Sequence, residues 1–282
     1  MQGKKFELSK KELEVLTDKH SDTEISKLLE VTISTIFLLR KQHNVLSFSQ
    51  KTECRKSRKS GEVLKPGQGV HHKHQDNLNR HYFDLIDTEF KAYFLGLLAA
   101  DGHICDSNQN CFMAIELQKP DHVVLEILAR ELNHNLEVKS LSRTGKKDSG
   151  RIKVYSRDLV YSLIDKGMTF NTENHGAYSA LSSSLHRHFI RGVVDGDGHI
   201  SAAKSTLFIG SCSFELLAQI AEWTQKALDI PFKIKHRTLE SGKAFHQLSF
   251  TSTALFVKWL YSDCMVAIPR KLEQASIWIS RS

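Results

Sequence analysis

No apolar stretch in this chain of 282 residues approaches the ~20 residues needed to span a bilayer, so no membrane span is expected. The opening residues, MQGKKFELSKKE, lack the apolar centre of a secretory signal, and an intracellular, cytoplasmic protein is expected. Paired cysteine spacing is also missing. The five cysteines (Cys54, Cys105, Cys111, Cys212, Cys264) are odd in number and contain no CxxC, which argues against a disulfide framework and against a structural zinc site. Reduced thiols in or beside a core are the expected state. What is present is an ordinary apolar share of 40 % and a net charge of +7. The charge is unevenly placed. Residues 1–80 carry 16 Lys/Arg against 10 Asp/Glu, while residues 81–282 carry 23 against 22. A basic N-terminal third fits an arm that holds a polyanion.

Three zones follow one another. Residues 1–47 read as short helices. Ser9 to Glu12 forms a capping box that opens a helix through about Thr17. Ser21 to Glu24 forms a second, whose helix puts Ile25, Leu28 and Leu29 on one face. Thr32 caps a third helix with Ile36, Leu39 and Arg40. The frame resembles a helix-turn-helix, with Glu30 at the turn position where glycine is common. On that reading Thr32, Ile33, Ser34, Thr35, Arg40 and Lys41 face DNA. An ordinary helical hairpin would show the same pattern. Residues 48–80 have almost no apolar pattern and read as a basic tether. His71, His72 and His74 fit a solvated linker better than a metal site, since nothing nearby completes a ligand set.

Residues 81–282 contain an internal repeat. AYFLGLLAADGHI (Ala92–Ile104) matches HFIRGVVDGDGHI (His188–Ile200), 96 positions later. Each copy is followed by two short alternating stretches, an amphipathic helix, two more strands and a helix. In copy one these fall near 103–108, 111–118, 121–134, 136–143, 150–156 and 157–167. In copy two they fall near 199–204, 206–212, 213–229, 231–239, 244–251 and 252–262. The expected fold is therefore α+β: two pseudo-symmetric αββαββα repeats (81–185 and 186–282) forming a saddle of antiparallel sheets, preceded by a small all-α helix-turn-helix domain (1–47) and a basic linker (48–80).

In the repeated helix, Gly96 and Ala100 lie four apart, as do Gly192 and Gly196. Small residues at that spacing make a smooth stripe that lets two helices approach closely. Each helix ends in Asp-Gly, Asp101-Gly102 and Asp197-Gly198, and a left-handed glycine cap is expected. An aspartate is disfavoured at a helix C-terminus, which already carries negative partial charge. Two such acids side by side call for a cation, and a hard, oxygen-binding ion such as Mg²⁺ suits them. A single Asp-Gly is usually a helix-ending turn; two in matched contexts point to a site.

FLGLLAADG (Phe94–Gly102) and IRGVVDGDG (Ile190–Gly198) resemble the paired signature helices of the LAGLIDADG homing endonucleases in their single-chain, two-repeat form. The resemblance covers residues 81–282. It implies DNA held under the sheets and cleavage of both strands with Mg²⁺, for which Mn²⁺ would substitute. It implies metal ligation by Asp101 and Asp197 and by the backbone carbonyls of Ala100 and Gly196. Copy one has Ala99 where copy two has Asp195, at a position that is not the metal ligand. A nearby lysine assists in the family. Lys271, in Pro269-Arg270-Lys271, matches that position in copy two. Copy one lacks a match over Gly167–Asn174, and Lys153 is the fallback. Phosphate contact is the plainer role for either lysine.

Alternation puts Arg151, Lys153 and Tyr155 on one face of a strand, with Ile152 and Val154 on the other. Lys233, Lys235 and Arg237 form a second such set, and Gln247, Ser249 and Thr251 a third. A two-stranded ribbon with these residues fits the major groove. Lys139, Arg143, Lys146 and Lys147 add phosphate contacts near the connecting loop. Duplex DNA is the expected partner and a monomer the expected state. The alternatives are a transcription regulator on the same scaffold, an intron maturase and an intein. The retained aspartates weigh against a pure binder, and the absence of a His-Asn splice end weighs against an intein.

Overall fold

The structure is a computed structural model and describes residues 8–47, 55–56, 63–64, 77–106, 111–132, 136–145, 147–171, 178 and 181–280. By internal contacts the chain forms two compact units, Met1–His72 with Asp106–Asn110, and Lys73–Cys105 with Cys111–Ser282. Most of the tether, including His71, His72 and His74, lies outside the described residues.

The first unit holds three helices, α1 (Lys10–Lys19), α2 (Asp22–Leu28) and α3 (Ile33–Gln42). Both capping boxes form. Ser9 and Ser21 each accept from the amide three residues on, and Glu12 and Glu24 each reach back 2.8 Å to the capping residue's N–H. Thr32 caps α3 by accepting from Thr35 N–H at 3.1 Å. Leu13, Ile25 and Ile36 are fully buried, with Leu39 and Val45 beside them. Leu28, expected on the inner face, is instead 59 % exposed. It closes α2 just before Glu30 adopts φ +55°, which swings the chain away. Glu30 thus occupies the left-handed position that favours glycine.

The second unit is built on the repeat. Copy one runs α4 (Glu89–Asp101), β1 (Gly102–Asp106), β2 (Cys111–Gln118), α5 (His122–Leu132), β3 (Lys139–Leu141), β4 (Ser149–Val154) and α6 (Arg157–Asp165). Copy two runs α7 (His186–Asp197), β5 (Gly198–Ser201), β6 (Thr206–Ser211), α8 (Phe214–Leu228), β7 (Phe232–Thr238), β8 (Ala244–Phe250) and α9 (Thr253–Tyr261). Both are αββαββα, as the periodicity implies. The sheets share one order, β1-β2-β4-β3 and β5-β6-β8-β7, and their described pairs are antiparallel. A further helix, α10 (Pro269–Ser280), follows copy two. Proline at its first position fits a helix start, where the missing N–H is not needed.

Strand alternation decides which side chains reach solvent. In β4, Gly150, Ile152 and Val154 are buried, while Ser149, Arg151 and Lys153 are on the open side. The helices cover the buried faces with Val124, Leu125, Leu128, Leu159 and Leu163 in copy one, and with Leu216, Leu217, Ile220, Phe256 and Leu260 in copy two. Helix α4 differs from these: Ala92 through Ala99 are buried on every side. A helix apolar all round sits at the centre of a structure, not on its surface.

Candidate metal and nucleic-acid site

The centre of the second unit is the packing of α4 on α7. A Cβ added at Gly96 would lie 2.0 Å from the carbonyl oxygen of Phe189, and one at Gly192 would lie 2.1 Å from that of Tyr93. The two backbones are therefore in direct contact at both glycines. A Cβ on Gly196 would meet the Cβ of Ala100 at 2.5 Å and a carboxylate oxygen of Asp101 at 3.0 Å. So the stripe Gly96, Ala100, Gly192, Gly196 is one interface, and it brings the end of α4 against the end of α7.

The ends themselves differ from expectation. Gly102 and Gly198 have φ −79° with ψ near 150°, extended backbone open to any residue. Glycine is needed there for another reason. Each amide donates back to the helix, to Leu98 O and Val194 O, and a Cβ would strike the same oxygens at 2.3 and 2.4 Å. The chain leaves the helix directly into β1 or β5, with no room for a side chain at the junction.

Asp101 and Asp197 are thereby brought close enough for the charge of Asp101 to act on Asp197. Both remain open to solvent while protein crowds them from several sides. Burial by that crowding pushes Asp101 up to about 6, against the pull of Lys271 and Arg270. Asp197 is pushed up to about 7 by the same crowding and then by the charge of Asp101, with Lys271 opposing. The last carbonyls of each helix, among them those of Ala100 and Gly196, have no intrahelical donor. Two crowded carboxylates and helix-end carbonyls make an all-oxygen donor set, which suits a hard divalent cation. Among the described residues no group of three or more His, Cys, Asp or Glu comes together as a metal site, at this centre or elsewhere, so the carboxylates here number two and the rest of the set is backbone oxygen.

Lys271 is held at this centre. The residue is 4 % exposed, and its ammonium donates to Val194 O at 2.9 Å and to Gly198 O, which puts a cation on the C-terminus of α7. Burial lowers it to about 8, against the pull of Asp195 and Asp101. Lys153 lies elsewhere on the sheet, its ammonium 3.7 Å from the centre of the Phe112 ring and 4.8 Å from that of Tyr155.

Two buried networks set this geometry. Asp195 is fully buried and accepts three hydrogen bonds, from Tyr93 Oη at 2.7 Å, Tyr261 Oη at 2.6 Å and Ile268 N–H at 2.7 Å. It ties α7 to α4, to α9 and to the start of α10, which carries Lys271. Arg191, also fully buried, donates to Glu89 at 2.6 Å and to the carbonyls of Val266 and Leu260 at 3.0 Å each. Sequence reasoning gave neither residue a role. The Ala99/Asp195 mismatch between the copies was the available signal, because α10 follows only copy two among the described residues.

The expected DNA-reading residues divide into open and engaged sets. Lys139 pairs across from Arg151 on the open face of the first sheet, with Lys153 and Tyr155 next along. Glu116 lies opposite Arg151 and is gripped by both ends of the Arg143 guanidinium at 3.0 Å, so Arg143 arrives already paired. Lys147 is exposed, and Lys146 lies outside the described residues. In the second sheet, Lys233, Lys235 and Arg237 are exposed and stand across from Ser249, Gln247 and Phe245. Thr251 lies just past β8, its hydroxyl donating to Pro231 O at 3.3 Å. In the first unit, Ser34 and Lys41 are accessible, and the Thr32 and Thr35 hydroxyls are 2.9 Å apart. Arg40 is turned inward, contrary to expectation. It is 7 % exposed, bonded to Asp22 at 2.7 Å and to Val45 O at 3.0 Å, and it holds the three helices together.

No family model and no curated protein matches the chain. Among solved structures it is similar to I-DmoI in complex with DNA and Ca, at 17 % identity and a TM-score of 0.48 over 66 % of this chain and 95 % of that one. It is similar to the homing endonuclease I-WcaI bound to its DNA recognition sequence, at 14 % identity and a TM-score of 0.48 over 74 % and 95 %. A third similar structure is the N-terminal LAGLIDADG domain of DUF199/WhiA, at 13 % identity and a TM-score of 0.43 over 64 % and 87 %.

Proposed function

We propose that this chain is a site-specific homing endonuclease that makes double-strand breaks in duplex DNA with Mg²⁺, acting as a monomer through its two repeats. The observation that supports this reading most is the acid pair: Asp101 and Asp197 brought together by small-residue helix packing, at helix ends where negative charge is already in excess. Such a pair destabilises the fold unless a cation joins it, so it fits a binding role better than a scaffolding one. The residues that would hold the ion are the two carboxylates, with the carbonyls of Ala100 and Gly196. A divalent ion bound there supplies charge neutralisation and an activated water for phosphodiester hydrolysis.

The chain's own residues do the rest. Lys271 neutralises the end of α7 and pulls Asp197 towards its ionised form, against the crowding that raises it to about 7. Asp195 fixes α10 so that this lysine cannot drift. The open faces of β3/β4 and β7/β8 present Lys139, Arg151, Lys153, Lys233, Lys235 and Arg237 for phosphates, and Gln247 and Ser249 for base edges. The three N-terminal helices, read as a helix-turn-helix, would add contacts through Ser34 and Lys41. The test is incubation with DNA spanning the insertion site of its own gene, with Mg²⁺, with Ca²⁺ and with EDTA. Double-strand cutting in Mg²⁺ alone supports the reading. Specific binding without cutting in any metal would replace it with a regulator.

A further inference from the structure

Asp121 stands in a short turn of copy one (Lys119–Asp121) and is 1 % exposed. Its single partner among the described residues is Arg270 of α10, whose Nε donates to Oδ2 at 3.0 Å, and its Oδ1 has no hydrogen-bond partner. A buried carboxylate with one oxygen unpaired is expensive, and a structural contact between two elements could be made by apolar side chains. What the carboxylate achieves is to fix a guanidinium. Arg270 is half exposed, and its two terminal nitrogens make no hydrogen bond among the described residues. It lines a cavity of about 280 Å³ with His199, Lys271, Glu273 and Gln274, bounded by Gly198 next to Asp197. Its charge acts on Asp101 and on Lys271. His199 is exposed on the same wall, its ring stacked on Phe208 with centroids 4.9 Å apart.

We propose that Arg270 is a phosphate-binding residue of the copy-two half of the site, aimed by Asp121 of copy one, and that the cavity beside it seats a backbone phosphate of duplex DNA. Arginine offers a planar fork that matches phosphate oxygens. With Nε committed to Asp121, the remaining edge presents two parallel N–H donors in a fixed direction. Lys271 and His199 line the same space. Glu273 opposes an anion there, so the subsite is selective for a phosphate that arrives with the divalent ion at Asp197 and against a free anion. The cross-repeat bond also makes the second half-site depend on a residue of the first half. The proposal rests on the DNA-cutting reading above.

The experiment measures binding of the full chain to a mixed-sequence duplex over a series of salt concentrations in Ca²⁺, beside a thermal melt of each variant. R270A should weaken binding and reduce the slope of log K against log salt by about 0.9, the increment for one neutralised phosphate. R270K should recover the slope, since the charge remains, but only part of the affinity, since the fork does not. D121N leaves the guanidinium charge in place and replaces its ionised acceptor with a weaker, neutral one, which loosens its direction. It should weaken binding, and adding it to R270A should weaken binding no further. Inorganic phosphate without Ca²⁺ should not protect Arg270 from a guanidinium-modifying reagent, whereas duplex with Ca²⁺ should. An R270A protein that melts lower but binds with unchanged affinity and slope would show a structural strut and overturn the proposal. Additive losses in the D121N/R270A pair would remove the aiming role. If the wild type binds no duplex at all, the functional reading falls and this site with it; if the wild type binds and the variants match it, only this site falls.

Discussion

Replacing Gly96 by alanine adds a single methyl group at the point where α4 meets α7. In the structure that carbon would lie 2.0 Å from Phe189 O and 2.9 Å from the carbonyl carbon behind it. Carbon and carbonyl oxygen rarely approach closer than about 3.3 Å, so the helices must part by about 1 Å or more. No flexible side chain can absorb this, because the obstacle is backbone. Overpacking of this kind costs about 1–3 kcal/mol, and for a unit of this size each kcal/mol lowers Tm by roughly 2–4 °C. The same separation moves Asp101 from Asp197. A misplacement of ~1 Å at reacting groups can lower the rate about a hundredfold. The open sheet faces are untouched, so DNA affinity in Ca²⁺ should hold. Gly192→Ala, 2.1 Å from Tyr93 O, should behave alike. Gly145→Ala is the control. Its added carbon meets nothing within 4 Å, and only its φ of +76° resists the change, which should cost about 1 kcal/mol and leave cutting intact. Calorimetry and a single-turnover cleavage assay on the three variants decide the matter. If Gly96→Ala and Gly192→Ala both melt and cut like the wild type, the packing that joins the two acids is refuted.

The acid pair also predicts a pH dependence. The ordinary value for an aspartate is 3.8, and folding raises Asp101 to about 6 and Asp197 to about 7. Groups raised on folding favour the folded state below their unfolded value and lose that contribution as pH climbs through the folded value. The metal-free protein should therefore lose thermal stability between about pH 4 and pH 7, and a double Asp101→Asn, Asp197→Asn variant should lose much less over the same range. Mg²⁺ should raise Tm at pH 8 and do little at pH 5, where protons compete; equal effects at both would contradict the pairing. Glu30→Gly relieves a left-handed φ of +55° and should stabilise the N-terminal helices by roughly 0.5–1 kcal/mol, read as a rise in their melting transition, with no gain if the turn relaxes otherwise. Deleting residues 1–72 spares Leu78, which is buried, and Asn79, whose N–H donates to Leu132 O. It should weaken DNA binding and flatten its salt dependence by about 0.9 for each phosphate that the first unit neutralises. An unchanged slope would show that the first unit does not touch DNA.

The order of elements was legible because each local signal has a short range. Capping boxes at Ser9 and Ser21, period-two alternation in β4, and the repeated AYFLGLLAADGHI pattern each depend on residues within a few positions. The meeting of Gly96 with Gly192 was legible as well, since small residues four apart have few other uses on a buried helix. What escaped were contacts that join distant segments. Arg40 reads in sequence as a charged residue at the end of its helix, yet it pairs with Asp22, 18 positions away, inside a small core. Asp195 spans 66 positions to Tyr261 and 102 to Tyr93, and Asp121 spans 149 to Arg270. Periodicity carries no information about such pairs. Gly102 and Gly198 show the opposite failure. The residue type was informative, but it serves a steric need at extended φ, where a left-handed cap was the expectation.

If Asp101 and Asp197 form one shared metal site, the most direct test is cleavage by Asp101→Asn and by Asp197→Asn. Each variant keeps the shape of the side chain and removes its charge, so folding should survive and the metal-free protein should even gain stability near pH 8. Each should retain duplex affinity in Ca²⁺ close to that of the wild type, because neither acid reads a base. Neither should make double-strand breaks in Mg²⁺ at any concentration that supports the wild type. A variant that binds, folds and still cuts both strands at the wild-type rate would contradict the shared site.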